Sequence, residues 1–224
     1  MGGAGPPVIA IDGPSASGKG TVAKQVALQL GFHYLDSGAL YRLVALAASQ
    51  LGIQTADEPE LARLAQRLDA RFDGDNIYLN HSLVTDAIRS EAIGAAASAV
   101  AGLAAVRQAL LTRQRAFRRP PGLVAEGRDM GSVVFPDATL KIYLTADAGE
   151  RARRRYKQLI EKGMDANMAA LLQDIRERDG RDSARAVAPL QKCDDASLLD
   201  TTRLTIDAAV AQVLAWYAAG SRVS

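Results

Sequence analysis

Cysteine is almost missing: Cys193 stands alone in 224 residues. That excludes a disulfide framework and a cysteine-built zinc site, and it fits a reducing compartment. With no histidine near it in sequence, Cys193 reads as a small apolar filler. Histidine is scarce as well, and His33 and His81 read as structural or surface residues. Long apolar runs are lacking. The longest small and apolar stretch, residues 94–106, holds Ser98 and two glycines and falls short of the roughly 20 residues a membrane helix needs. Residues 1–7 have neither the basic and apolar regions of a secretory signal nor the Ser or Thr of a myristoylation site, so a loose tail is expected there. An excess of charge is also absent. The net charge of +2 gives no bulk argument for nucleic acid or an acidic membrane as partner. Lysine is the last shortage: six of 27 basic residues, leaving 21 Arg. Arginine grips phosphate with a planar two-pronged fork, whereas lysine acts as a point charge. Base composition can account for the total but not for where the arginines cluster.

What is present suits one α/β domain with small insertions, or at most two small domains: 48% hydrophobic and 23% charged residues. Residues 8–12 form a short branched apolar run, expected as a buried parallel strand. A Gly-rich turn, 13–21, leads into a helix with Val22, Ala23, Val26, Ala27 and Leu30 on one face, closed by Gly31. Residues 32–35 read as a second strand feeding a loop, Asp36-Ser37-Gly38. Asp57 and Glu60 look like a capped helix start, followed by the stripe Leu61, Leu64, Ala65, Leu68. Between 70 and 100 the alternation breaks. Two β-like pieces flank Asp73-Gly74-Asp75-Asn76, Leu83-Val84 suggests a third, and an Ala-rich helix starts near Glu91. Strands near 123–125, 140–144 and 198–199 alternate with helices near 103–117, 148–162, 171–175 and 206–217. The pattern predicts a parallel sheet with helices on both faces.

The sharpest motif is Gly13-Pro14-Ser15-Ala16-Ser17-Gly18-Lys19-Gly20-Thr21, set between predicted strand and predicted helix. That is the context of a phosphate-binding P-loop. Backbone N–H groups turn inward, the helix N-terminus favours an anion, and Lys19 reaches the β and γ phosphates. ATP and Mg²⁺ are therefore the expected co-substrate and metal. Gly20 stands where a Ser or Thr usually meets Mg²⁺, so Thr21, one position later, is expected to reach the metal through water or to touch a phosphate.

Gly-Lys-Gly-Thr is a form found in nucleoside monophosphate kinases. The chain further carries Asp36-Ser-Gly-Ala-Leu-Tyr41-Arg42, Glu126-Gly-Arg128-Asp129-Met-Gly131, Val134-Phe-Pro-Asp-Ala138, and the run from Glu177-Arg178-Asp179 through Asp182, Arg185 and Pro189-Leu190. Together they resemble the bacterial cytidylate kinase family from about residue 8 to the C-terminal helix. The resemblance implies a single P-loop kinase domain, 8–224, with a five-stranded parallel sheet. Its core would be 8–69, 101–150 and 175–224, with a monophosphate-binding insert at about 70–100 and a lid at about 151–174. It further implies phosphoryl transfer from ATP to CMP or dCMP, in the cytoplasm, by a monomer with neither nucleic acid nor membrane as partner.

By the same resemblance, Ser37, Arg107 and Asp129 would read cytosine, Ser98, Arg178 and Asp182 would lie near the ribose, and Arg42, Arg128 and Arg185 would hold the acceptor phosphate, with Tyr41 also lining the acceptor site. Lys19 would act in catalysis with Arg128, Arg185 and the lid arginines Arg151, Arg154 and Arg155. Simpler readings stand beside these. Ser37 could be a helix cap. Arg128 and Asp129 could be a structural loop pair. Asp174, Arg178 and Asp182 fall at i, i+4 spacing and could be surface ion pairs, although Gly180 argues against an undisturbed helix there. The lid arginines could be a solvated basic face. The rival functions are a small-molecule or UMP-type kinase and a nucleotide- or RNA-binding P-loop protein without turnover.

Overall fold

The computed structural model describes residues 5–161 and 163–220. In chain order the elements are β1 (Val8–Asp12), α1 (Lys19–Leu30), β2 (His33–Asp36), α2 (Ser37–Gln50), α3 (Glu58–Gln66), β3 (Ala70–Asp73), β4 (Asn76–Leu79), β5 (Ser82–Leu83), α4 (Glu91–Val100), α5 (Ala104–Arg115), β6 (Leu123–Gly127), β7 (Leu140–Thr145), α6 (Ala148–Glu161), α7 (Met168–Ser183), β8 (Ser197–Asp200) and α8 (Ile206–Gly220). Single turns occupy Ala87–Arg89 and Met130–Val134, the second wound as a π-helix. The chain separates into two compact units: Met1–Leu35 with Phe117–Ser224, and Asp36–Ala116. The expected insert, 70–100, falls inside the second. Residues 1–4 and 221–224, at the ends of the expected tail and domain, and Lys162 of the expected lid lie outside the described residues. Of the remaining tail, Pro6 and Pro7 offer their carbonyls to Arg118 Nε and Leu123 N.

The first unit is built on a five-stranded parallel sheet of order β2-β6-β1-β7-β8. β1 lies at its centre, with Ile11 opposite Glu126 on one side and Ile142 on the other. Every residue of β1 and β6 is buried, which is why both read as unbroken apolar runs apart from one acid each. Val22, Ala23, Val26 and Ala27 of α1 and Ala209, Val210 and Val213 of α8 pack on Ile9, Ile11, Val124, Ile142 and Leu144. Phe32 meets Tyr217 edge to face at 5.8 Å. Because the chain leaves β1 for β2 on one side and later returns to β7 and β8 on the other, the carboxyl end of β1 is the divergence point where open α/β sheets bind ligands.

The second unit holds the antiparallel sheet β3-β4-β5, joined through the 73–76 turn as expected, and helices α2 to α5. The expected helix start at Asp57 is present: its Oδ1 accepts from Glu60 N at 3.1 Å. Two local expectations are corrected. Asp36-Ser37-Gly38 is not a loop. Asp36 ends β2 and caps α2, its Oδ1 accepting from Ala39 N at 3.0 Å, so strand passes straight into helix. Gly180 does not interrupt α7, which runs unbroken from Met168 to Ser183. Among the described residues no single helix is long and apolar enough to cross a membrane.

Candidate active site

The loop between β1 and α1 is shaped by close approach. A Cβ at Gly13 would lie 1.9 Å from the Leu144 carbonyl oxygen of β7, so no side chain fits where the chain leaves the sheet. Ala16 takes a left-handed φ of 57°, which turns successive N–H groups to one side. No side chain caps α1. Its first N–H groups have no partner within the helix and are left for an anion. A cavity of about 190 Å³ opens here, lined by residues 16–21 with Arg154, Arg155 and Gln158. The hydroxyl of Ser17 is buried beside it with no hydrogen-bond partner among the described residues.

Gly20 has a reason of its own. A Cβ there would lie 2.6 Å from Glu126 Oε1. Glu126 is buried at the end of β6, where Tyr34 Oη donates to its Oε1 at 2.7 Å and Lys19 Nζ lies 3.7 Å from its Oε2. A carboxylate therefore occupies the space in which a Ser or Thr hydroxyl at position 20 would begin. The Glu126 carboxylate, like the Thr21 hydroxyl on the first turn of α1, is a hard oxygen donor of the kind Mg²⁺ takes, with phosphates and water to complete its shell.

Arginines reach the loop from two directions. Arg128, just after β6, donates through Nη2 to Ser15 Oγ at 2.8 Å and through Nε to Asp182 Oδ2 at 2.7 Å. Asp182 Oδ1 also accepts from Arg185 Nη2. At 2% exposure, Asp182 is a buried clamp on two cations, and the surface-pair reading of this residue is set aside. From α6, Arg151 donates to Ser15 O at 3.1 Å, to Ala146 O, and to both oxygens of Asp179 at 3.0 and 2.6 Å. Arg154 donates to Ser17 O, Thr201 Oγ1 and Thr201 O, and to Glu150. Arg151 is 5% exposed, so the basic face of α6 is packed on the loop at these two positions. The helix starts where expected, with Asp147 Oδ1 accepting from Gly149 N and Glu150 N. Arg155 lines the cavity, and Arg178 lies on α7.

Asp129 follows Arg128 and is buried. Its carbonyl accepts from Val133 N and Val134 N, closing the π turn. Asp12, the last residue of β1, accepts from the next two amides, Met130 N and Gly131 N, both at 2.8 Å. Burial pushes the Asp12 carboxyl up to about 6, against the opposing pull of those two N–H bonds.

The remaining predicted residues belong to the second unit. Ser37 is the first residue of α2 and is buried; the cap is Asp36, so the cap reading of Ser37 is dropped. Arg42 donates to Ile88 O at 2.7 Å. Arg107 on α5 is buried, donates to Ala101 O at 3.1 Å and stands 5.7 Å over the Tyr41 ring. The buried hydroxyl of Ser98 on α4 has no hydrogen-bond partner among the described residues. Sequence reasoning missed Asp12, Glu126, Asp179 and Thr201. The first two had a signal: each is the one acid in a strand otherwise free of charge. Thr201 had none, since its hydroxyl acts by meeting Ser17 O and Thr145 O, 184 and 56 residues away.

A family model described as cytidylate kinase matches residues 9–219. Relatives called cytidylate kinase include one from Chromobacterium violaceum, 63% identical over 94% of this chain and 95% of its own. Those of Cupriavidus necator and Bordetella pertussis are each 60% identical over 95% of this chain and 96% of theirs. Among solved structures, an uncharacterized protein from Eubacterium ventriosum has TM-score 0.53 at 12% identity, over 95% of this chain and 98% of its own. A gluconokinase from Sinorhizobium meliloti has TM-score 0.50 at 16% identity, over 96% and 93%. At such identities these two speak for the fold alone.

Proposed function

The chain belongs to the cytidylate kinase family, and from that premise we propose that it moves the γ-phosphoryl group of ATP to the phosphate of CMP or dCMP by direct in-line transfer. The observation that carries the reading is the pairing of a P-loop whose helix has no side-chain cap with Arg128 and Arg185 gathered on the buried Asp182 and joined to the loop at Ser15. Two anionic substrates repel, and a site that joins them needs cations fixed at the loop.

The chemistry asks little else. A phosphate monoester has a second pKa near 6, so the attacking oxygen is bare at neutral pH and no general base is required. Lys19 would hold the β and γ phosphates, Arg154 and Arg155 the charge that spreads in the transition state, and Arg42, Arg128 and Arg185 the acceptor phosphate. Arg151 would act with them while orienting α6. Cytosine offers an amino donor at N4 and acceptors at N3 and O2. Asp129 and Ser37 would accept from N4 and Arg107 would donate. Uracil reverses that pattern at positions 3 and 4 and leaves buried partners unpaired. Ser98, Arg178 and Asp182 would meet the ribose, and Tyr41 would support Arg107. Glu126, and Thr21 through water, would hold Mg²⁺. The metal would supply charge neutralisation at the phosphates. Segment 70–100 would help enclose the monophosphate, and 151–174 would close over ATP and keep water out. The reaction would run in the cytoplasm, in a monomer whose partners are small molecules rather than nucleic acid or membrane.

A coupled ADP-release assay across CMP, dCMP, UMP and AMP tests this. Turnover with CMP and dCMP well above UMP and AMP is expected. Equal rates with UMP would make it a UMP-type kinase, and no CMP-dependent ADP would make it a binding protein.

A further inference from the structure

Asp12 takes no part in the chemistry above, and its setting is unusual. It ends a strand otherwise made of Val, Ile and Ala, is 6% exposed, and gives both carboxylate oxygens to backbone amides. Burying a carboxylate against neutral donors is costly, and the raised carboxyl pKa reflects that cost. An apolar residue would suit the sheet better. What the acid holds is the chain immediately after Asp129.

The backbone around Asp129 is fixed from both ends. Behind it, Arg128 is anchored on Ser15, Gly127 O and Asp182. At its own carbonyl, Val133 N and Val134 N close the turn. Ahead of it, the two amides that would otherwise be unsatisfied at the start of that turn are taken by Asp12. The fit is close: a Cβ at Gly131 would lie 3.1 Å from Lys141 Cδ and 3.5 Å from Asp12 Oδ2. The same residue that ends the P-loop strand therefore sets the position of the turn carrying Arg128 and Asp129. We propose that Asp12 is a positioning residue for the acceptor: it aims Asp129 and Arg128 before substrate arrives, without touching substrate itself. This rests on the reading that Arg128 and Asp129 contact the acceptor.

The test is Asp12→Asn, nearly the same shape, which turns one acceptor into a donor facing an N–H. KM for CMP should rise about tenfold or more and the preference for CMP over UMP should narrow, while KM for ATP stays within about twofold. A proportional loss in all parameters would mean a merely structural acid and would overturn the proposal. Asp129→Ala, measured beside it, separates the two layers. If it leaves CMP affinity and preference intact, the acceptor-site reading fails and this proposal with it. If it moves them and Asp12→Asn does not, the positioning role alone fails. Should Asp12→Asn not fold, hydrogen exchange in the wild-type protein decides. Met130 and Gly131 amides should be protected as well as those of Ala10 and Ile11 without nucleotide. Loop-like exchange that slows only when CMP is added would overturn the proposal.

Discussion

Arg128, in the turn after β6, and Arg154, on α6, both meet the P-loop, and they are held there by different chemistry. Arg151, also on α6, is paired with a carboxylate as Arg128 is, through both oxygens of Asp179. Arg128 meets the loop at a hydroxyl and is otherwise engaged by Asp182, a carboxylate it shares with Arg185. Arg154 meets it at the Ser17 carbonyl and is steadied by the carbonyl and hydroxyl of Thr201, with Glu150 at its margin. A guanidinium facing a buried carboxylate is placed firmly, but part of its field is already offset. One held mainly by neutral oxygens, with its carboxylate contact longer at 3.2 Å, is oriented while keeping more of its charge for a phosphate. The first arrangement suits holding a substrate in the ground state. The second suits meeting charge that develops during transfer.

Lys19 gives that comparison its scale, and the largest effect is expected there. Lys19→Ala should lower kcat by about two orders of magnitude or more in the ADP-release assay. A near-normal kcat would move the catalytic burden onto the arginines.

Next in size is a pH effect confined to the β6 side. The carboxyl of Asp12 rises from its ordinary value of 3.8 to about 6 in the fold. Between those values the folded state holds a proton that the unfolded chain has lost. Stability therefore falls as pH climbs from about 4 to about 6, by up to about 3 kcal/mol, and this contribution is flat above. Urea denaturation of wild type and Asp12→Asn across that range should show the limb in the first and not in the second. Parallel curves would mean that Asp12 does not titrate in that range.

The two arginines themselves come third. Arg128→Ala should raise KM for CMP about tenfold with little change for ATP, whereas Arg154→Ala should lower kcat about tenfold with little change in KM for CMP. If both variants move the same constant, the distinction between the two sides collapses. The smallest effect is expected from Thr201→Val, which deletes the hydroxyl bridging Ser17 O, Thr145 O and Arg154. Roughly 1–2 kcal/mol of stability should be lost, read as a lower Tm. An unchanged Tm would leave the carbonyls alone as the seat of Arg154.

Much of this was legible before any coordinates. Short apolar runs placed the strands and period-3.6 stripes the helices, because sheet burial and helix faces are local consequences of side-chain composition and spacing. Asp57 announced its helix because a cap is a contact within three residues. The alternative reading of Ser37 as a cap fails for the same local reason: the neighbouring Asp36 has the geometry that reaches Ala39 N. Gly180 misled because the propensity cost of one glycine, about 1 kcal/mol, is small beside what packing supplies. Leu171, Ile175 and Asp182 of α7 are all buried.

By itself the sequence determined the P-loop, the alternation that makes a parallel sheet, and the likeness to one kinase family. All three are written in short runs whose physics is local or whose spacing is fixed. Only the tertiary structure decided what each charge in those runs touches. Glu126 fills the space that explains Gly20, Asp182 joins Arg128 to Arg185, Arg151 and Arg154 lie on the loop rather than in solvent, and Asp12 holds the turn after Asp129. The partners of Asp12 are 118 and 119 residues away. A hydrogen bond needs its two atoms within about 3 Å, and over such separations that distance is set by sheet register and strand order, which no local pattern encodes.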